Sequence, residues 1–112
     1  MKKIEAIIRK SKFDGVKKAL HETGVNFFSY WDVTGVGNET QGHVYRGVAY
    51  STTDIQRRMI SLVVSDEFLE RTVQVILDSS YTGSVGDGKI FISPVEEALR
   101  IRTKERGTHS LS

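Results

Sequence analysis

"RRMISLVVSDEFLERTVQVILDSSYTGSVGDGKIFIS", Arg57 to Ser93, changes its apolar period twice, and those two changes decide the fold. Ile60, Leu62 and Val64 alternate along the chain, which predicts a strand with one buried face. From Asp66 to Ser80 the spacing of Leu69, Val73 and Ile76 predicts a helix with a single inner stripe. Gly83 is placed to end that helix, and "GDG" leads into another strand, "KIFIS".

The residues before this stretch repeat the pattern. "KIEAIIR" alternates Ile4, Ala6 and Ile8 against Glu5, Ile7 and Arg9, as a strand does. Ser11 with Asp14 resembles a capping box opening a helix. Phe13, Val16, Lys17 and Leu20 fall on one face of that helix, interrupted only by Lys17, and Gly24 is placed to end it. "VNFFSYWDVTGV", Val25 to Val36, is dense in aromatic and β-branched residues and reads as the second strand. The order is strand, helix, strand, strand, helix, strand. This is the α+β, ferredoxin-like βαββαβ arrangement: a four-stranded antiparallel sheet with two helices on one face. The other face is left bare, which predicts self-association.

From Gly37 to about Asp54 the period disappears in "GNETQGHVYRGVAYSTTD". Loops of more than about 12–15 residues without structure of their own are uncommon in compact domains and are usually functional or disordered. After the fourth strand come a turn from Pro94 to Leu99, a short extended stretch "LRIRT", and a polar tail from about Thr103 to Ser112.

The 112 residues fit one domain, 1–112, able to bury a core without metal or disulfide support. The chain has no cysteine, which excludes disulfide frameworks and thiolate zinc sites and is compatible with a cytoplasmic location. Glu5 and Arg9 interrupt any signal-peptide core in "MKKIEAIIRK", and no apolar run approaches the roughly 20 residues needed to cross a bilayer. A formal net charge of +2 is weak support for nucleic-acid binding. His21, His43 and His109 lack ligand-like spacing, and no catalytic constellation stands out, so binding rather than turnover is expected.

Two features suit an anion. In "GDGK", Gly86 to Lys89, successive backbone amides can form a nest, followed by a point charge, although such a segment is also an ordinary connection. In "LRIRT", a strand would project Arg100 and Arg102 from the same face, two guanidiniums suited to phosphate oxygens, or a solvated edge paired with Glu96 or Glu97. Together they describe a polyphosphate site, with a spacing that is not that of a Walker loop. Tyr45, Arg46 and Tyr50 in "YRGVAY" suit insertion into a partner's pocket.

These residues resemble the PII nitrogen-regulatory signal proteins. "TGSVGDGKIFI" (Thr82 to Ile92) is similar to the family's C-terminal signature, and "YRGVAY" to its loop signature. "MKKIEAIIR" and "RIRT" extend the likeness to nearly the whole chain. The resemblance implies a homotrimer whose intersubunit clefts bind ATP or ADP, with 2-oxoglutarate joining Mg-ATP and reshaping a long T-loop (about residues 37–54). That loop docks on targets such as Amt-class ammonium transporters and possible further nitrogen-metabolism proteins, holding a cytoplasmic protein at the membrane without insertion. Carried over position by position, Gly86, Asp87, Gly88 and Lys89 form the phosphate loop, with Arg100 and Arg102 as its charged partners. Ser29 and Val63 adjoin the adenine, and Gly37 and Asn38 form the T-loop base. Arg46 corresponds to the arginine that plugs a channel, and Tyr50 to a tyrosine uridylylated in some bacterial members.

The chain departs from the family pattern at Glu39, where a glutamine usually completes the Mg²⁺ and 2-oxoglutarate site. A carboxylate there still ligates Mg²⁺ but opposes a dicarboxylate. Arg57 stands in place of the lysine that grips 2-oxoglutarate, Ser61 in place of a glutamate beside the adenine, and Val48 in place of a small loop residue. Two other readings share the strand order: a ferredoxin-like RNA-binding module, which needs aromatics on the central strands, and an acylphosphatase-type enzyme.

Overall fold

The computed structural model describes residues 1–38, 44–45, 48–49 and 52–111. Strand β1 (Lys2–Ile8) is followed by a 3-10 turn (Lys10–Lys12) and helix α1 (Phe13–Thr23). Strand β2 (Ser29–Asn38), the two-residue strands β3 (Val44–Tyr45) and β4 (Val48–Ala49), and strand β5 (Thr52–Val64) come next. Helix α2 (Asp66–Ser80) and strand β6 (Gly88–Pro94) complete the frame, with a 3-10 turn at Gly107–Leu111. The main sheet has the order β2-β5-β1-β6 and is antiparallel throughout, which is the expected ferredoxin-like arrangement.

Strand alternation places the core. Ile4, Ala6 and Ile8 of β1 lie beside Leu62, Ile60 and Arg58 of β5, and the apolar members of this set are buried with Val16, Leu20 and Ile76 of the helices. A one-residue slip of β5 would put Met59, Ser61 and Val63 in place of Ile60, Leu62 and Val64. Fully burying a residue such as Ile60 is worth about 2 kcal/mol, so this register is firmly set.

Several local expectations change. Ser11 lies inside the 3-10 turn, and the α1 N-cap is Lys12 in helical conformation with no side-chain cap bond. The chain is already helical there, so Ser11 is not placed to cap. Lys17 is exposed, and the inner stripe of α1 is Phe13, Val16 and Leu20. Gly24 does end the helix, at φ 98°, with Gly24 N–H donating to the His21 carbonyl and Val25 N–H to Leu20, both at 3.0 Å. This Schellman closure takes the Val25 amide, so β2 begins at Ser29 and not at Val25.

In α2 the innermost positions are Thr72, Ile76 and Ser80, with Leu69 and Val73 partly buried beside them. Two hydroxyls are tolerated there because each donates to a helix carbonyl, Thr72 to Phe68 at 2.8 Å and Ser80 to Ile76 at 2.6 Å. The helix ends through an extended Tyr81, not at Gly83, which is left-handed in the following turn.

The stretch between the middle strands is more regular than its composition suggests. β2 and β5 pair from Ser29↔Ser61 to Asn38↔Thr52, whereas β1 covers β5 only from Arg58 onward. The outer part of this pairing is a two-stranded arm beyond the sheet, and Val44–Tyr45 pairs with Val48–Ala49 as a separate two-stranded sheet. "LRIRT" is not a strand. Arg100 N–H donates to the Glu105 carbonyl at 2.9 Å, Lys104 N–H to the Arg100 carbonyl at 2.8 Å, and Lys104 has φ 62°. The segment closes on itself as a turn, so Arg100 and Arg102 do not share a strand face.

Candidate functional site

The turn from Thr82 to Gly88 is held together by one carboxylate. Thr82 and Gly83 amides donate to Asp87 Oδ2 at 2.8 and 2.9 Å, and the Thr82 hydroxyl donates to Oδ1. Gly83, Gly86 and Gly88 carry the backbone through at φ 86°, 99° and 110°, values that favour glycine. A Cβ on Gly88 would lie 1.7 Å from the Ile7 carbonyl oxygen, so β1 and β6 could not keep their register there.

Two arginines hold the turn from outside. Arg9, just beyond β1, donates from Nε to Asp87 Oδ1 at 3.0 Å and from Nη2 to the Val85 carbonyl at 2.8 Å. Arg57 of β5 donates from Nε to the Gly86 carbonyl at 3.1 Å and from Nη1 to the Gln56 carbonyl at 2.9 Å. The Thr82 hydroxyl and amide, with further help from Arg9 and the Gly83 amide, hold the Asp87 carboxyl well below the usual carboxylate range. Asp87 is therefore an internal clamp that stays ionised. The carbonyls of Val85 and Gly86 are tied back by the two arginines, and Val85 and Gly86 form a hydrogen-bonded turn between Gly83 and Gly88. A glycine-rich turn of this kind suits an anion. Lys89 follows, exposed and opposite Ile7 on the helix-free face.

The remaining expected site residues are dispersed. Ser29 of β2 is exposed opposite Ser61, and Val63 lies two positions further along β5 on the same face. β2 and β6 are the outer strands, so Ser29 and Lys89 are separated by three strand spacings, about 14 Å, across the sheet and by two residues along it. Gly37 and Asn38 sit in the arm opposite Thr53 and Thr52. Arg100 is drawn to Glu105 at 3.4 Å and to the His109 carbonyl at 3.2 Å. Among the described residues, Lys89 and Arg102 share no hydrogen bond or ion pair with the glycine turn. Glu39, Arg46 and Tyr50 lie outside the described residues.

Arg9 and Thr82 were not legible as site residues. The usable signal for Arg9 was a cation directly after a strand whose last residue, Ile8, pairs with Gly88.

Comparison with known proteins identifies the family. A family model described as Nitrogen regulatory protein P-II matches residues 1–105. The chain belongs to this family. A P-II relative from Cereibacter sphaeroides is 49% identical over 109 residues, 96% of each chain. One from Azospirillum brasilense is 45% identical over 109 residues, again 96% of each. One from Nostoc punctiforme is 43% identical over 112 residues, covering 99% of this chain and 100% of the relative.

P-II proteins are regulators of nitrogen metabolism rather than enzymes, and that broad role extends to this chain. No helix among the described residues is long and apolar enough to cross a membrane. The helix-free faces of the central strands carry Glu5, Ile7, Ser61, Met59 and Val63, without the aromatics an RNA-stacking sheet needs.

Proposed function

We propose that this P-II chain senses nitrogen and energy status by binding ATP or ADP, with the polyphosphate held at Gly86, Asp87, Gly88 and Lys89. The observation that carries this reading is the turn itself: three left-handed glycines, two carbonyls tied back by arginines, and an exposed lysine next in the chain. Such a turn fits a polyanion. Ser29 and Val63 take the adenine end, and because one sheet separates Ser29 from Lys89, the site is completed by a neighbouring copy. A homotrimer supplies that copy, along with Arg100 and Arg102, and covers the helix-free face where Trp31 and Phe91 are exposed.

The β2–β5 arm, continuing through Gly37 and Asn38, carries the T-loop that engages an Amt-class ammonium transporter through Arg46, with Tyr50 as the modification site. Glu39 is the residue for Mg²⁺. Arg57 would meet 2-oxoglutarate, although it also holds the Gly86 carbonyl. Nucleotide occupancy then biases the arm, because a shared arginine links it to the phosphate turn.

Calorimetry on the wild-type chain tests this. ADP and Mg-ATP should each bind, and 2-oxoglutarate should bind only with Mg-ATP, more tightly in Glu39→Gln. Absence of heat with either nucleotide at millimolar concentration would reject the reading.

A further inference from the structure

We infer that Arg9 is a positioning residue for the nucleotide polyphosphate: it neutralises the Asp87 carboxylate and fixes the Val85 carbonyl of the glycine turn. This rests on the nucleotide reading above and adds to it a residue that does not touch the ligand.

The reasoning starts from a conflict. Asp87 is the carboxylate that closes the turn, yet its charge sits where a polyanion is to bind. Two charges of the same sign a few ångströms apart repel, and several times more strongly near a protein surface than in bulk water. The turn cannot dispense with the carboxylate, because the Thr82 and Gly83 amides and the Thr82 hydroxyl all depend on it. A cation on the same carboxylate resolves the conflict.

Arg9 meets that requirement geometrically. Its Nε lies 3.0 Å from Asp87 Oδ1, and both side chains are only about a quarter exposed, at 24% each, so solvent screens the pair incompletely. Its second bond, from Nη2 to the Val85 carbonyl at 2.8 Å, does a separate task. It ties down a backbone oxygen, a partial negative charge directly before the Gly86–Lys89 stretch. Only a planar, multi-donor group makes both bonds from one position, so a lysine in its place would keep the charge and lose the orientation. Arg9 is itself positioned by the fold. It follows directly on β1, whose last residue pairs with Gly88, and its carbonyl accepts the Lys12 amide at 3.0 Å to start the 3-10 turn.

The test compares ADP affinity in wild type, Arg9→Met, Arg9→Lys, and the double variant Arg9→Met with Asp87→Asn. Arg9→Met should weaken ADP binding about ten-fold, as expected for loss of a charge-assisted contact in the apparatus that holds the anion site. Arg9→Lys should fall between Arg9→Met and wild type. The double variant should bind ADP better than Arg9→Met alone, because the unneutralised carboxylate is gone. A residue that merely stabilised the turn would not show that recovery, since Asp87→Asn weakens the clamp further. ADP binding by Arg9→Met within two-fold of wild type, or a double variant no better than Arg9→Met, would overturn the inference. If wild type itself failed to bind ADP, the nucleotide reading would fall instead.

Discussion

Replacing Gly88 with alanine attacks the junction between phosphate turn and sheet. Gly88 has φ 110°, which costs an L-residue about 1–2 kcal/mol. The added Cβ would also sit 1.7 Å from the Ile7 carbonyl oxygen, where ordinary contact begins near 3.4 Å. The clashing atom belongs to the backbone, so no side chain can swing away. β6 must retreat from β1 by more than about an ångström, which breaks the hydrogen bonds around Ile8↔Gly88 and Ile7↔Lys89. Two such bonds at about 1 kcal/mol each bring the total to about 3–4 kcal/mol. Against a typical stability of about 5–15 kcal/mol, Gly88→Ala should remain partly folded but with a much lower urea midpoint. A stability change below about 1 kcal/mol would refute the reasoning, since it would mean the β1–β6 register is not as close as described.

Two further outcomes follow from the charged residues around the arm's base. Arg58 pairs with Asp32 at 2.9 Å and lies 4.6 Å from the Phe13 ring centroid and 5.4 Å from that of Tyr30. Arg58→Met should cost about 1–1.5 kcal/mol in chemical denaturation, mostly from the ring contacts, because Asp32 is more than half exposed. Arg58, followed by Lys10, lowers the Asp32 carboxyl below its ordinary value of 3.8, and Thr82 does the same for Asp87. A carboxyl depressed in the folded state stabilises above its unfolded value and loses that contribution as pH falls through the folded one. Melting temperature should therefore change little on this account between pH 7 and 5 and drop below about pH 4, with a shallower acid limb in Asp87→Asn. An acid limb unchanged by Asp87→Asn would show that the clamp carboxylate is not a source of acid sensitivity.

Period and punctuation were enough for the frame. Ile4, Ala6 and Ile8, then Ile60, Leu62 and Val64, alternate as half-buried strands must, and Phe13, Val16 and Leu20 recur as a helix face must. Gly24 stopped its helix because only glycine takes the left-handed turn cheaply. The glycine turn was visible as composition. Its workings were not, because Arg9 and Asp87 are 78 residues apart and nothing local marks them as partners. The same limit explains the other misses. Thr72 and Ser80 are polar by type, and only their bonds to helix carbonyls make them core residues. "LRIRT" alternates as a strand does, but a strand needs a neighbour to hydrogen-bond with, and here the nearest one is its own returning chain.

The sequence by itself determined the order of the main elements, the inward faces of β1 and β5, and the family, since these rest on spacing and short-range identity. Tertiary structure alone decided that β2 and β5 extend as an arm, that Asp87 is a clamp, and that Arg9 and Arg57 stand around it. The physical reason is that a backbone period is encoded within a few residues, whereas a charge acquires its role from whichever distant groups the register brings within about 3 Å of it.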